Sequence, residues 1–256
     1  MAEKEFWTEA RLKTAIKWVA VGIIAVILAT SGVWYYYSVY PKQAPTVLDR
    51  ALDEALKKSA KSPKDASLHL AVAEIYMQQE KWDDAIKELE TSAKLQENNN
   101  IAYALEGVCY EAKGNDKKAE TFYKKAIAIG EKGEMKGIDP ALFESYYRLG
   151  RMYFRQGKTD KALEMMTEAS SVNNIDSDSL YWLGRIYYKK GDCTKAEENL
   201  LKATRFTPDF YEAQYWLGQT YEKLDKKDEA IKAYEQALSY KKDYKQAQDA
   251  LDNLKK

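Results

Sequence analysis

The 256-residue chain is predicted to be all-α: an α-solenoid of five stacked helix pairs behind an N-terminal transmembrane helix. Three observations predict this. A small residue stands three positions before a tyrosine five times over (Ala73/Tyr76, Gly107/Tyr110, Gly150/Tyr153, Gly184/Tyr187, Gly218/Tyr221). Those small residues recur at about 34 residues, the period of a stacked helical repeat, and only the step from Gly107 to Gly150 is longer, by nine positions. Finally, the run from Trp18 to Tyr40 holds no charge.

Residues 1–17 hold Lys4, Arg11, Lys13 and Lys17 and form a short polar tail. The run 18–40 is long enough, at about 1.5 Å per residue, to cross a hydrocarbon layer of about 30 Å. Trp18 at one end and Trp34, Tyr35, Tyr36, Tyr37 and Tyr40 at the other match interfacial aromatic belts. Basic residues before the span outnumber Lys42 and Arg50 behind it, which keeps the tail cytoplasmic and exports the rest. Two other readings stay open. Ala29-Thr30-Ser31 offers a signal-peptide cleavage site, and an anchor could instead hold the repeats in the cytosol.

Residues 41–65 are a linker and a packing helix, with Ala51, Leu52, Leu56 and Pro63 in the phase of a second helix, so that residues 45 to 60 cover the first repeat. The repeats follow at 66–99, 100–130, 143–176, 177–210 and 211–243. Each reads as two amphipathic helices: in the fourth, Leu180, Leu183, Gly184 and Tyr187 share one face and Ala196, Leu200, Ala203 and Thr204 another. Ala85, Ala119, Ala162, Ala196 and Ala230 follow the tyrosines by nine positions, and Ser92, Ala126, Ala169, Ala203 and Ala237 come seven later. A pair of this kind cannot bury both its faces alone, so it must stack. The nine extra residues fall at Glu131 to Asp139, within an inserted loop at 131–142 that interrupts no helix. Residues 244–256 form a capping helix, with Ala247, Ala250 and Leu251 inward and Lys242, Lys245, Asp249, Asp252 and Lys255 in water.

Leu149-Gly150, Leu183-Gly184 and Leu217-Gly218, with the turn glycines Gly114, Gly157 and Gly191 and the in-register alanines, resemble the tetratricopeptide repeat over residues 66 to 242. The resemblance implies a right-handed superhelix whose first helices line a concave groove. Repeats three to five would present Tyr147, Arg148, Arg151, Phe154 and Arg155, then Tyr181, Trp182, Arg185, Tyr188 and Lys189, then Tyr215, Trp216 and Gln219, with Glu222 and Lys223 beyond. Repeats one and two offer Leu70, Ala71, Glu74 and Met77, then Ala104, Leu105, Val108 and Glu111. The face is thus apolar first, aromatic and basic later, and aromatic rings with arginine are enriched at binding hot spots. Some of these rings pack between adjacent first helices, so the arginines are the cleaner signal. Family members that bind chaperones clamp a C-terminal carboxylate with lysine and asparagine. Here the matching positions hold Leu70, Glu74, Tyr147 and Arg151, so that clamp is not preserved, although an acidic peptide could dock on Arg148, Arg151 and Arg185.

Chemistry is otherwise sparse. Lys and Arg number 40 against 40 Asp and Glu, which leaves no global positive field for nucleic acid. Cys109 and Cys193 fall in different repeats and are predicted free. Gly157-Lys158-Thr159 resembles the end of a phosphate loop, but the glycine needed five positions earlier is Met152. His69, the only histidine, falls at a core-facing position. Asp176 to Ser179 reads as a helix N-cap, lacking the glycine and distal glutamate of a calcium loop.

No catalytic residue, cofactor or metal follows. The layout instead resembles membrane-tethered, extracytoplasmic scaffolds that bind a peptide or protein segment in envelope assembly, secretion or complex maturation. A cell-wall glycan-binding module and a purely structural subunit of a membrane complex are the alternatives.

Overall fold

The computed structural model describes residues 46–134 and 136–255. The tail at 1–17 and the apolar run at 18–40 lie outside the described residues. Among the described residues no helix is long and apolar enough to cross a membrane, and there is no strand. The order is α1 (Val47–Lys61), then the pairs α2 (Ala66–Gln78) and α3 (Trp82–Leu95), α4 (Asn100–Ala112) and α5 (Asp116–Gly130), α6 (Pro140–Arg155) and α7 (Thr159–Val172), α8 (Ser177–Lys190) and α9 (Cys193–Phe206), α10 (Tyr211–Lys223) and α11 (Lys227–Tyr240), and last α12 (Lys245–Leu254). In α1 Ser59 is buried, Ala51 and Leu52 are half-buried and Leu56 is exposed.

Sequence signals set the helix starts. Asp65, Asn99, Asn115, Asp139, Asp176 and Asp192 each accept a backbone N–H of the first turn, satisfying donors the helix leaves free. The Asp176 run is therefore a cap, as its composition indicated. Each first helix packs on its second helix, each second helix packs on the next first helix, and α4, α6, α8 and α10 also touch in succession. That last set of contacts makes one continuous face of first helices.

The repeat signature marks the closest approaches. Ala85, Ala119, Ala162, Ala196 and Ala230, and Ser92, Ala126, Ala169, Ala203 and Ala237, are all fully buried. A Cβ on Gly107 would stand 2.5 Å from the Tyr123 ring, one on Gly184 2.5 Å from Leu200, and one on Gly218 2.5 Å from Tyr234. Glycine at these positions is therefore a demand of packing. Cys109 and Cys193 are free. His69 is held by Glu88 (Nδ1 to Oε2, 2.6 Å) and by the Pro63 carbonyl (3.1 Å).

The insertion is shared between helix and loop. Helix α6 begins ten positions before Gly150, whereas α4, α8 and α10 begin seven before their glycines, and α5 runs one position further than its counterparts. The rest forms a loop with a short 3-10 turn, Lys136–Ile138, packed on α7. Both ends are tied down: the Tyr146 hydroxyl donates to Glu131 (3.0 Å) and Asn100 Nδ2 to Asp139 (2.6 Å).

Candidate functional site

The face of first helices carries two chemically distinct stretches, both set by positions counted from the packed glycine. Two positions before it stand Trp182 and Trp216, one after it Arg151 and Arg185, and four after it Phe154 and Tyr188. In helices this spacing places them on one side. The Arg185 guanidinium lies 4.7 Å from the Trp182 ring centroid, 4.6 Å from Trp216, 5.3 Å from Phe154 and 5.5 Å from Tyr181. Arg151 lies 5.4 Å from Trp182 and 5.5 Å from Tyr147. The result is an alternating ladder, Tyr147, Arg151, Trp182, Arg185, Trp216, spanning three repeats. Each such contact contributes roughly 0.5–2 kcal/mol, enough to hold the long side chains in place.

The ladder cations are not neutralised. Among the described residues neither Arg151, Arg185 nor Lys189 has an ion pair. Lys189 lies 4.9 Å above Phe154 and Lys223 3.8 Å above Tyr188. Arg185 donates once, from Nη1 to the Tyr181 hydroxyl (3.2 Å), and its buried Nε has no partner. Burial raises the Asp178 carboxyl above its ordinary range, Asp176 adds to the rise, and Arg151 opposes it without reaching ion-pair distance.

The remaining predicted residues are already engaged. Arg148 pairs with Glu144 and with Glu111 (3.4 Å), and Arg155 with Glu111 (3.1 Å) and Asp116 (3.8 Å). Those two arginines already have carboxylate partners, on α6 itself and on the neighbouring repeat. Gln219 Nε2 donates to the Tyr234 hydroxyl (2.6 Å) and to Glu222 (3.0 Å). Tyr181 is core, packed on Phe210 at 4.8 Å, and Tyr215 packs on Tyr234 and Tyr244. Tyr147, Arg151, Phe154, Trp182, Arg185, Tyr188, Lys189 and Trp216 remain on the face.

A second stretch is fainter in the sequence. A cleft of about 460 Å³ is lined by Met77 of α2, by Ile101, Leu105 and Val108 of α4, and by Pro140 and Ala141 at the start of α6, with Glu144 and Arg148 on its rim. Its lining is mostly apolar. The apolar residues beside Gly107 carry the signal for it, but the α6 contribution depends on the three extra residues that the insertion adds to that helix.

Tetratricopeptide-repeat family models match residues 48–90, 73–134, 107–174, 184–225 and 211–244, which together span well over half of the chain. The chain belongs to the tetratricopeptide repeat family. Several solved structures share its fold. YrrB, a TPR protein with an unusual peptide-binding site, is 20% identical, with a TM-score of 0.64 over 78% of this chain and 98% of its own. A MamA structure is 25% identical, with a TM-score of 0.58 over 67% and 95%. MamA from Desulfovibrio magneticus RS-1 is 17% identical, with a TM-score of 0.59 over 70% and 96%. No match was found among curated protein sequences. For this tetratricopeptide repeat chain, these structural likenesses speak to architecture.

Proposed function

We propose that the chain is a membrane-tethered, extracytoplasmic scaffold that binds a peptide or protein segment along its first-helix face, with no catalysis of its own. The carrying observation is the Arg151 and Arg185 ladder. Two guanidinium groups are fixed by aromatic rings yet left without a carboxylate, and such a pair stabilises little until a partner supplies the missing charge. YrrB, of like fold, is described as having an unusual peptide-binding site, which supports a peptide ligand for a fold of this kind. A glycan ligand fits less well, because sugars stack on open ring faces and here guanidinium groups cover Tyr147, Trp182 and Trp216.

The tether rests on the uncharged run 18–40 and the basic residues before it. Service in envelope assembly, secretion or complex maturation follows from that layout. A reporter fused after Lys256 should be active outside the cytoplasm, and cytoplasmic activity would overturn the export reading. A photoreactive residue at Tyr188 in living cells should crosslink to a polypeptide, whereas one at Lys202, on the second helix α9, should not. Equal yields from both, or sedimentation with purified peptidoglycan in place of crosslinking, would overturn the groove reading.

A further inference from the structure

Resting on the groove reading, we infer that the ladder recognises two acidic side chains set two or three residues apart in an extended segment, next to apolar residues that enter the neighbouring cleft. A guanidinium can be approached over its faces or along its N–H edge. Rings crowd both arginines: Arg185 has four ring centroids within 5.5 Å and Arg151 has two. The N–H groups not already used within the chain are what a ligand carboxylate can accept from. Arg151 has no hydrogen-bond or ion-pair partner among the described residues. Arg185 uses one donor, on Tyr181, and its Nε is buried without an acceptor. Its Nη2 also has no partner and, unlike Nε, is accessible, so it is the donor a ligand carboxylate can reach.

Charge complementarity selects the ligand's sign. One helical turn away, Arg148 and Arg155 pair with Glu144, Glu111 and Asp116, so the chain does place carboxylates beside arginines on this face. It places none at ion-pair distance from the ladder. Both ladder guanidinium groups lie within 5.4 Å of the Trp182 ring centroid, so they are at most about 11 Å apart, a span two or three residues of extended chain cover at about 3.3 Å each. Helix α6 joins the two stretches, with Ala141, Glu144 and Arg148 beside the cleft and Tyr147 and Arg151 on the ladder.

The test pans a random dodecapeptide library on the full chain. Selected peptides are then measured by fluorescence polarisation against the chain and its variants, each checked for unchanged helicity. Supporting results are enrichment of acidic pairs at that spacing, a loss of at least tenfold when either acid becomes its amide, and a similar loss in R151K and R185K, which keep charge but lose the planar fork. Peptides that lack an acidic pair, yet lose binding in I101E or K189E, would overturn the ladder inference and leave the groove reading standing. Peptides indifferent to I101E and K189E, or no enrichment at all, would overturn both.

Discussion

Repeats two and five differ from repeats three and four at one core position, and that difference governs what their outer faces can do. Sixteen positions after the packed glycine, repeats two and five carry Tyr123 and Tyr234, whereas three and four carry Met166 and Leu200; all four side chains are fully buried. A buried phenol needs a hydrogen-bond partner. Tyr123 donates to Glu111 (2.8 Å) and Tyr234 to Glu222, each acid standing four positions after its glycine. Burial pushes both phenols well above their ordinary pKa, and the adjoining carboxylates push them further. Met166 and Leu200 make no such demand, and the same fourth position holds Phe154 and Tyr188. The interior choice thus propagates outward. A tyrosine inside fixes an acid outside, and Glu111 then collects Arg148 and Arg155, while an aliphatic residue inside frees the position for a ring that joins the cationic ladder.

The comparison breaks most visibly if one repeat type is forced into the other. In L200Y a hydroxyl is driven toward Tyr188, where no carboxylate waits. Overpacking and the unsatisfied group together should cost about 3 kcal/mol. Adding Y188E supplies the acid found in repeats two and five and should recover about 1.5 kcal/mol. Repeat arrays unfold in parts, so the readout is hydrogen exchange in α8 and α9 alongside the urea midpoint. A double variant no better than L200Y alone would show that the tyrosine and glutamate are not a coupled pair.

Repeat two holds a second departure. Glu106 sits directly before Gly107, where the other repeats have Val72, Leu149, Leu183 and Leu217. It is 1% exposed, and its Oε2 has no hydrogen-bond partner. Burial raises its pKa to about 7 and Glu90 adds to the rise, while Lys125 and Lys94 oppose it. The folded state therefore holds this proton where the unfolded chain, near 4.5, has released it. Stability falls as pH rises from about 4.5 through about 7, by on the order of 3 kcal/mol. His69 acts in the same direction: burial lowers its pKa, but the bonds to Glu88 and Pro63 outweigh that and raise it, so its contribution is also lost at higher pH. In E106L most of the fall between pH 5 and pH 8 should vanish. By the same linkage the stability of the variant relative to wild type should rise by about 3 kcal/mol across that range. Parallel pH profiles for wild type and E106L would count against the assignment.

Most of the fold was legible because the constraint recurs. Five glycine or alanine positions and ten small second-helix residues in register can only mean close helix contacts, and all ten second-helix positions are buried. The site was legible in part. Trp182, Arg185 and Trp216 stand out by residue type and position, but sequence cannot tell an arginine that meets a ring from one that meets an acid 37 residues away, as Arg148 meets Glu111. The inserted segment hid its effect for a similar reason: its composition marks a loop, whereas the three residues it lends to α6 help shape the apolar cleft.

The smallest expected effect separates repeats one and five from the middle three. All five inter-helix turns use a left-handed residue seven positions after the packed small residue. Repeats two to four place Gly114 (φ 72°), Gly157 (φ 74°) and Gly191 (φ 83°) there, but repeats one and five use Glu80 (φ 57°) and Asp225 (φ 55°). A side chain in that region costs roughly 1–2 kcal/mol, and glycine gives part of the gain back through its more flexible unfolded chain. E80G and D225G should therefore each stabilise by about 0.5–1 kcal/mol. By contrast G114A, G157A and G191A, which a Cβ would not crowd, should destabilise through backbone conformation alone. Because the turns lie in different repeats, the two gains should add in the double variant. Unfolding midpoints that fail to rise in either single variant would mean that the Glu80 and Asp225 side chains offset the strain through contacts of their own.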